Sequence, residues 1–525
     1  MQQFGIFSPT MGLKQDFPVL LLPEAYTAES ENVRIVEGEI RRTRMRSPVL
    51  RQGLGDNLPV DLPQPALHFH WFLKATGSGY LFAFCATEIY KWVPKADEIA
   101  GAWAAWCTPA VTATYWSVVT FADKMIATNG VNKVLVGSDA DEFEILDPEE
   151  QGTNGIRYSA SPDYYLTAAA WVVVFENYVF LGDTTENSTR YPRRIRWCAL
   201  GDYETWDSGD AGAADIGDAE ALTAAATYQD FLILFKRHSI HRLWLTGGDL
   251  IFANSVISSK IGCESPASIV TASSGELYFL AFDKTIRNLQ GERVSEPIDE
   301  TLKAMPDGEL ATACGTRIEE YDELWWSIAS GADATANNKI ITLSREGKWG
   351  TIGYGVTAFG IWKNQTNYTI DTVPFDTIDD WDWDGIDSVE ALVGFYIDIG
   401  GDTAGAVHGL HNAATDDGSA FAGYFVLATD MTEANNPVEF KRVLNIRLFA
   451  SAEASGTLAV SVKEDNATAW TSLGSASLVE AGSDVCRVDL PCDFRARHTL
   501  LKISGSNPFA FLGAVFDFSP DGFDE

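Results

Sequence analysis

Residues 225–246 read AATYQDFLILFKRHSIHRLWLT, and their order decides the fold. Small residues lead into a polar turn at Tyr228, Gln229 and Asp230, and an apolar run, Phe231 to Phe235, follows. A basic turn through Lys236, Arg237 and His238 then opens a second run, Ile240 to Leu245, which stops at Gly247–Gly248. Two apolar runs joined by so short a connection predict a β-hairpin. Paired glycines favour a turn at its end.

The same unit recurs outward in both directions. Gly79-YLFAFCATEIYKW, Asp123-KMIATNGVNKVLVG, Asn177-YVFLGD, Gly275-ELYFLAFDKTIRNL and Asp322-ELWWSIAS each place Gly, Asp or Asn before an aromatic-aliphatic run. The first residues of these runs (Tyr80, Lys124, Tyr178, Phe231, Glu276, Glu323) follow one another at 44 to 54 residues. A seventh unit, Val393-GFYIDIGGDTAGAVHGL, comes after an insert. A period of roughly 40–50 residues with about four strands each marks β-propeller blades, small sheets that bury their faces by stacking on one another. The fold class expected is therefore all-β, with a propeller of about seven blades over residues 61–412.

The chain's two ends depart from the repeat. Residues 1–60 form an N-terminal extended arm, in which VRIVEGEIRRT (33–43) reads as a hairpin around Glu37-Gly38. Arg34, Arg41, Arg42, Arg44 and Arg46 make the arm basic. They suit either an edge strand paired with acidic neighbours or a docking arm for an acidic neighbouring subunit. Residues 413–525 carry six short alternating runs, among them Val438-EFKRVLNIRLFA, Gly456-TLAVSVKED and Phe511-LGAVFDFSP. That spacing predicts a C-terminal antiparallel β-sandwich.

Composition narrows the function. Hydrophobic residues at 46% and charged residues at 21% allow a large core and argue against disorder. The formal charge of −35, from 38 basic and 73 acidic residues, repels nucleic acid and disfavours a DNA-coating role. It suits either a surface kept soluble by charge or a wall along which DNA slides without sticking. The seven cysteines form no C-x-x-C pair, so reduced thiols and assembly in the host cytoplasm are expected. The first residues lack a basic stretch followed by a long apolar one, so no secretory signal is expected. The longest apolar run, Ala168 to Phe175, is too short to span a bilayer, so no membrane association is expected.

Several stretches then carry a resemblance. Gly12-LKQDFPVLLLPEAYTAESENVRIVEGEIRR, Arg194-IRWCALGDYETWD, Phe231-LILFKRHSIHRLWLTGG, Ile257-SSKIGCESPASIV and Val294-SEPI occur in that order, followed by an aspartate-tryptophan insert. The ordered set resembles a family of tailed-phage virion proteins that includes the tail nozzle, or tail tubular protein B, of short-tailed phages. The resemblance implies a propeller-containing structural subunit in the virion tail. It also implies a ring, commonly of six copies, whose bore continues the DNA channel. Its partners would be other copies of itself, an adaptor or head-to-tail protein, a tail fibre or tip protein, and DNA in non-specific transit.

Chemistry-bearing motifs are sparse. Neither G-x-S-x-G nor the phosphate loop G-x-x-x-x-G-K-S/T occurs. Gly350-TIGYGVTAFG reads as a tight blade edge. The pairs His68/His70, His238/His241 and His408/His411 read as strand or turn polarity, because metal ligation needs three or four convergent ligands. Asp380, Asp382 and Asp384 before Gly385 imitate the first half of a calcium loop, but Ala391 stands where the bidentate Glu belongs. No pair of carboxylates is singled out for glycoside hydrolysis. The expectation is a non-enzymatic tail subunit without cofactor. The alternatives are a receptor-type tail protein that binds or depolymerises glycans, and a cytoplasmic propeller scaffold.

Overall fold

The computed structural model describes the chain apart from residues 1, 8–10, 19–21, 23–25, 37, 48–60, 94–101, 148–153, 161, 249, 364–395, 417, 431–439, 454, 466, 481 and 521–525. Asp380, Asp382 and Asp384 lie outside the described residues.

Tight turns set the blades. The runs recognised by their leading Gly, Asp or Asn are the second strands of six blades, Gly79–Cys85, Lys124–Thr128, Phe231–Lys236, Leu277–Leu280, Glu323–Ile328 and Tyr396–Gly401, and the third strand of the five-stranded blade, Tyr178–Glu186. The leading residues turn the chain with positive φ, as at Ala122-Asp123 (48° and 57°), Glu176-Asn177 (49° and 62°) and Asp322 (50°). Such turns match the twist of a hairpin and favour Asn, Asp and Gly.

Among the described residues, seven small antiparallel sheets follow one another. Blade 1 runs from Ala66–Leu73 to Ala102–Cys107, and blade 2 from Ser117–Phe121 to Glu144–Ile145. Blade 3 has five strands, Ile156–Ala160 to Gly212–Asp215, and blade 4 runs from Leu222–Tyr228 to Phe252–Ser258. Blade 5 has three strands, Val270–Thr271 to Ile286–Asn288, and blade 6 runs from Cys314–Ile318 to Trp349–Ile352. Blade 7 joins Ala358–Lys363, Tyr396–Gly401 and Val407–Ala413 to an outer strand, Met45–Ser47, supplied by the N-terminal arm.

Shared apolar cores carry the stacking around the whole circle. Phe82 and Phe84 of blade 1 pack with Met125 and Phe143 of blade 2. Trp171 and Leu181 of blade 3 bridge Ile126 of blade 2 to Leu234 of blade 4. Phe235 meets Phe279 of blade 5, Leu280 meets Trp326 of blade 6, and Trp325 meets Leu410 of blade 7. The circle closes where Phe69 of blade 1 packs with Ala358 and Trp362 of blade 7. There the Thr357 hydroxyl donates to the Ala66 carbonyl at 2.7 Å. The architecture is a closed seven-bladed β-propeller.

The C-terminal region forms a sandwich of two sheets around Phe425, Ile446, Val460, Ile503, Phe511 and Phe516. The expected division at residue 60 needs correcting. Val33–Val36 and Glu39–Arg42 pair as the hairpin read from sequence, and extend one sandwich sheet beside Ala510–Pro520. Gln2–Phe7 pairs with the same strand, and Thr27–Glu31 pairs with Gly423–Asp430 in the other sheet. The arm is therefore no separate unit, because its alternating residues gain burial only by completing sheets begun by the far end of the chain.

Candidate functional site

The basic arm folds into a joint between sandwich and propeller. Asn32 sits at its centre with φ 60°, a conformation Asn tolerates better than most residues. Its amide nitrogen donates to the Ala422 carbonyl at 3.0 Å, and its side-chain oxygen accepts from Gly353 N at 2.8 Å. Its backbone N–H donates to the Thr351 carbonyl of blade 6 at 2.9 Å. The Thr351 hydroxyl donates in turn to the Ser30 carbonyl at 2.6 Å.

The structure places each arm arginine. Arg34 donates through Nε and Nη2 to one oxygen of Glu323, at 2.9 and 2.7 Å, and lies 3.3 Å from the Tyr321 ring centroid. Glu323 is buried in blade 6, and its other oxygen accepts from the Trp325 indole at 3.0 Å. Arg42 donates to the carbonyls of Ala414 (2.8 Å), Phe421 and Ser506, pinning the chain where it leaves blade 7 for the sandwich. Burial lowers the pKa of that guanidinium. Arg46 forms a two-pronged pair with Asp416, at 2.8 and 3.0 Å, over the Tyr354 ring. Burial works against its charge, but the Asp416 contacts outweigh it and raise its pKa. Arg41 pairs with Glu39 of its own hairpin, and Arg44 is exposed. Three of the five arginines are thus engaged inside the chain, and only Arg41 and Arg44 face solvent.

The sequence does not announce Glu323, Asp416, Tyr321 and Tyr354 as the partners of these arginines. The pairs join positions hundreds of residues apart, and no local spacing announces them.

The other stretches of the resemblance are structural too. In blade 3, buried Glu186 accepts from Arg196 (3.1 Å twice), Arg194 (3.1 Å) and the Thr184 hydroxyl (3.1 Å). The Trp197 indole donates to the Asp210 carbonyl at 2.9 Å. The connection from blade 4 to blade 5 is tied to blade 6, where the Ser265 hydroxyl donates to the Ala313 carbonyl and the Trp326 indole donates to the Ser268 carbonyl. Lys236, fully buried in blade 4, donates to Ile216 O, Asp218 O and Asp218 Oδ1 at 2.7, 2.9 and 2.7 Å.

The histidine pairs do not gather into a metal site among the described residues. His70 Nε2 meets the Thr120 hydroxyl at 2.8 Å, His238 Nδ1 meets Glu220 at 2.6 Å, and His411 Nε2 meets Asp398 at 3.0 Å. All seven thiols are free, and burial pushes those of Cys263 and Cys314 up to about 12, which makes them poor nucleophiles at neutral pH. Gly355, in the glycine-rich stretch, lies so close to Asn337 that a Cβ would come within 2.3 Å of its backbone. That stretch is a packed blade junction. No helix of the described residues is long and apolar enough to cross a membrane.

The strands facing the wheel's axis are Ala66–Leu73, Ser117–Phe121, Asp163–Phe175, Leu222–Tyr228, Val270–Thr271, Cys314–Ile318 and Ala358–Lys363. They contain no Asp or Glu apart from Asp163, at the start of the longest one.

No protein-family profile and no curated protein matches this chain. Among solved structures it is similar to the WD40 β-propeller domain of Doa1, at 8% identity and TM-score 0.36, over 66% of this chain and 92% of that one. It is also similar to PorZ of Porphyromonas gingivalis, at 10% identity and TM-score 0.34, over 72% of this chain and 44% of that one. An exo-β-1,3-galactanase from Phanerochaete chrysosporium aligns at 9% identity and TM-score 0.27, over 87% of this chain and 96% of that one. Likeness at this level says nothing about activity.

Proposed function

We propose that this chain is a non-enzymatic structural subunit of a bacteriophage tail, of the nozzle type. In this reading copies assemble into a ring that continues the DNA-ejection channel, docked to an adaptor on one side and to a fibre or tip protein on the other. The observation that supports it is where the stretches resembling the tail family lie. Asn32, Arg34 and Arg42 hold the joint, while Arg194, Arg196 and Trp197 hold blade 3. Shared sequence spent on a rigid frame suits a protein whose work is mechanical. The axial strands lack the facing pair of carboxylates that glycoside hydrolysis uses. DNA would pass between subunits rather than through the wheel. There the acidic outer surfaces would keep it from adhering.

Mass spectrometry of gradient-purified phage particles tests this reading. Peptides of this chain should be enriched in particles over the lysate, and a chain found only in the lysate would be a host-side scaffold instead. The glycan-binding alternative finds one feature, Tyr424 and Trp470 on the outer face of a sandwich sheet. Lys502 lies 4.2 and 5.8 Å from their ring centroids, so a cation already covers the rings that a sugar would stack on. A glycan array with no bound sugar is the expected result.

A further inference from the structure

The linker from blade 3 to blade 4, residues 216–221, lies on a buried cation. Lys236 of blade 4 is fully buried, and its ammonium donates to the carbonyls of Ile216 and Asp218 and to Asp218 Oδ1. Three acceptors on one ammonium fix the first half of the linker against the sheet. The other Asp218 oxygen accepts from the Ser239 hydroxyl at 2.9 Å, and the Ser239 oxygen lies 3.2 Å from His241 Nε2. The single hydroxyl proton of Ser239 goes to the carboxylate. His241 Nε2 is therefore the donor in the second contact, and the neutral ring keeps its lone pair on Nδ1.

That nitrogen is buried and meets no hydrogen-bond partner among the described residues. A proton arriving there creates a buried N–H without an acceptor and a second cation close to Lys236. The ring also has no space to turn away. Gly217, at φ 49°, presses on it so closely that a Cβ there would sit 2.3 Å from His241 Cε1. The charged groups at the seam come from three sides. Lys236 faces the ring from its own sheet and Asp218 from the linker, while Arg193 of blade 3 donates to the Gly217 carbonyl at 3.3 Å and lies 4.0 Å from Asp215. Glu220 turns to His238, 2.6 Å from its Nδ1. Burial works against the Asp218 charge, but hydrogen bonds from Lys236 and Ser239 outweigh it and bring its pKa down to about 2. Burial, and then the charge of Lys236, lower the pKa of His241, and Asp218 offsets only part of this.

We propose that His241 makes the seam between blades 3 and 4 an acid-sensitive latch: the neutral ring lets the linker lie closed over Lys236, and protonation drives the linker off the seam. The linker yields rather than the ring, because the strand of His241 is paired on both sides, with Leu234 and Val256 as its neighbours. A histidine whose folded pKa lies below the unfolded value near 6.5 contributes stability that is fully present above that pH and lost as pH falls. The latch closes at neutral pH and opens in acid. It goes beyond the tail reading and does not depend on it.

Hydrogen exchange of the full chain, read as protection relative to an unfolded peptide at the same pH, tests the latch. The Ile216 amide, which donates to the Arg193 carbonyl at 2.8 Å, should lose protection roughly tenfold between about pH 7 and about pH 5. The amides of Phe231–Lys236, inside the sheet, should hold theirs. His241→Gln keeps a donor for Ser239 without a titrating group, so its linker should stay protected at the lower pH. His238→Gln should leave the loss in place, and so should His68→Gln combined with His70→Gln. A wild-type linker equally protected at both pH values overturns the latch, as does His241→Gln losing protection like wild type. If that variant lacks the wild-type melting transition, the wild-type ring itself gives the answer. Its Cε1 proton, followed by NMR, should titrate below the range of an unfolded histidine, and titration at the ordinary value overturns the latch.

Discussion

Blades 6 and 4 end in outer strands of similar kind but with different surroundings. Trp349–Ile352 is buried throughout, with its outward carbonyls taken by Leu13 N at 3.0 Å and Asn32 N at 2.9 Å. Gly12 allows this approach, since a Cβ there would sit 3.0 Å from Trp349 N and O, and its φ is 89°. Phe252–Ser258 is buried only at Phe252 and has no strand beyond it among the described residues. The difference comes from reach. The arm is anchored in both sandwich sheets, which brings it alongside blades 6 and 7. A covered edge in this wheel therefore reports where the sandwich sits.

Four changes break or sharpen that contrast. The largest effect is expected at the covered edge from Glu323→Ala, which leaves the largely buried Arg34 without its carboxylate (side-chain exposures 15% and 8%). Breaking such a pair costs about 3 kcal/mol, seen as a lower midpoint in urea, and Arg34→Ala should be nearly as damaging. Next, Asn32→Ala removes two hydrogen bonds and places Ala at φ 60°. The expected loss is about 2 kcal/mol, which Asn32→Gly should partly recover by relieving the backbone.

The third change separates the arm's joint from blade 1 by pH. Burial between blades 1 and 2 holds His68 at about 4, and burial together with the charge of His68 holds His70 at about 3. Both lie below the unfolded value near 6.5, so the unfolded chain binds more protons below that pH. Their contribution is fully present above about pH 6.5 and is lost as pH falls towards 4. A loss of about 1 kcal/mol or more is expected between pH 6.5 and 5.5. Denaturation at the two pH values should show it, and His68→Gln with His70→Gln should flatten the dependence. The smallest effect belongs to the open edge. Val256→Thr, at a position 56% exposed on the outer strand of blade 4, should change stability by less than about 0.5 kcal/mol.

The repeat was legible because each blade must reverse its chain in one tight turn, and that turn demands Gly, Asp or Asn at a regular interval. Asp123, Asn177 and Asp322 therefore mark the blades as clearly in the sequence as in the fold. Blade 5 with three strands and blade 3 with five were not legible, since Val270–Thr271 and Gly212–Asp215 are too short to form a pattern. The arm was half legible. VRIVEGEIRRT contains its own hairpin, so Val33 pairs with Arg42 as expected. Its destination depends on pairings such as Arg46 with Asp416 and Phe511 with Ile40, which no window of sequence can hold. The same distance hid the role of the basic residues. Charge alone could not say whether Arg34, Arg42 and Arg46 face a neighbour or their own chain.

Hydrogen exchange of the full chain, followed at residues 26–47, tests most directly the claim that the N-terminal segment joins the two halves. The amides of Thr27, Asn32 and Thr43, which donate to Gly12, Thr351 and Asn32, should be protected as strongly as those of Lys441–Ser451 in the sandwich core. Exchange within seconds, at the rate of an unfolded peptide, would contradict it.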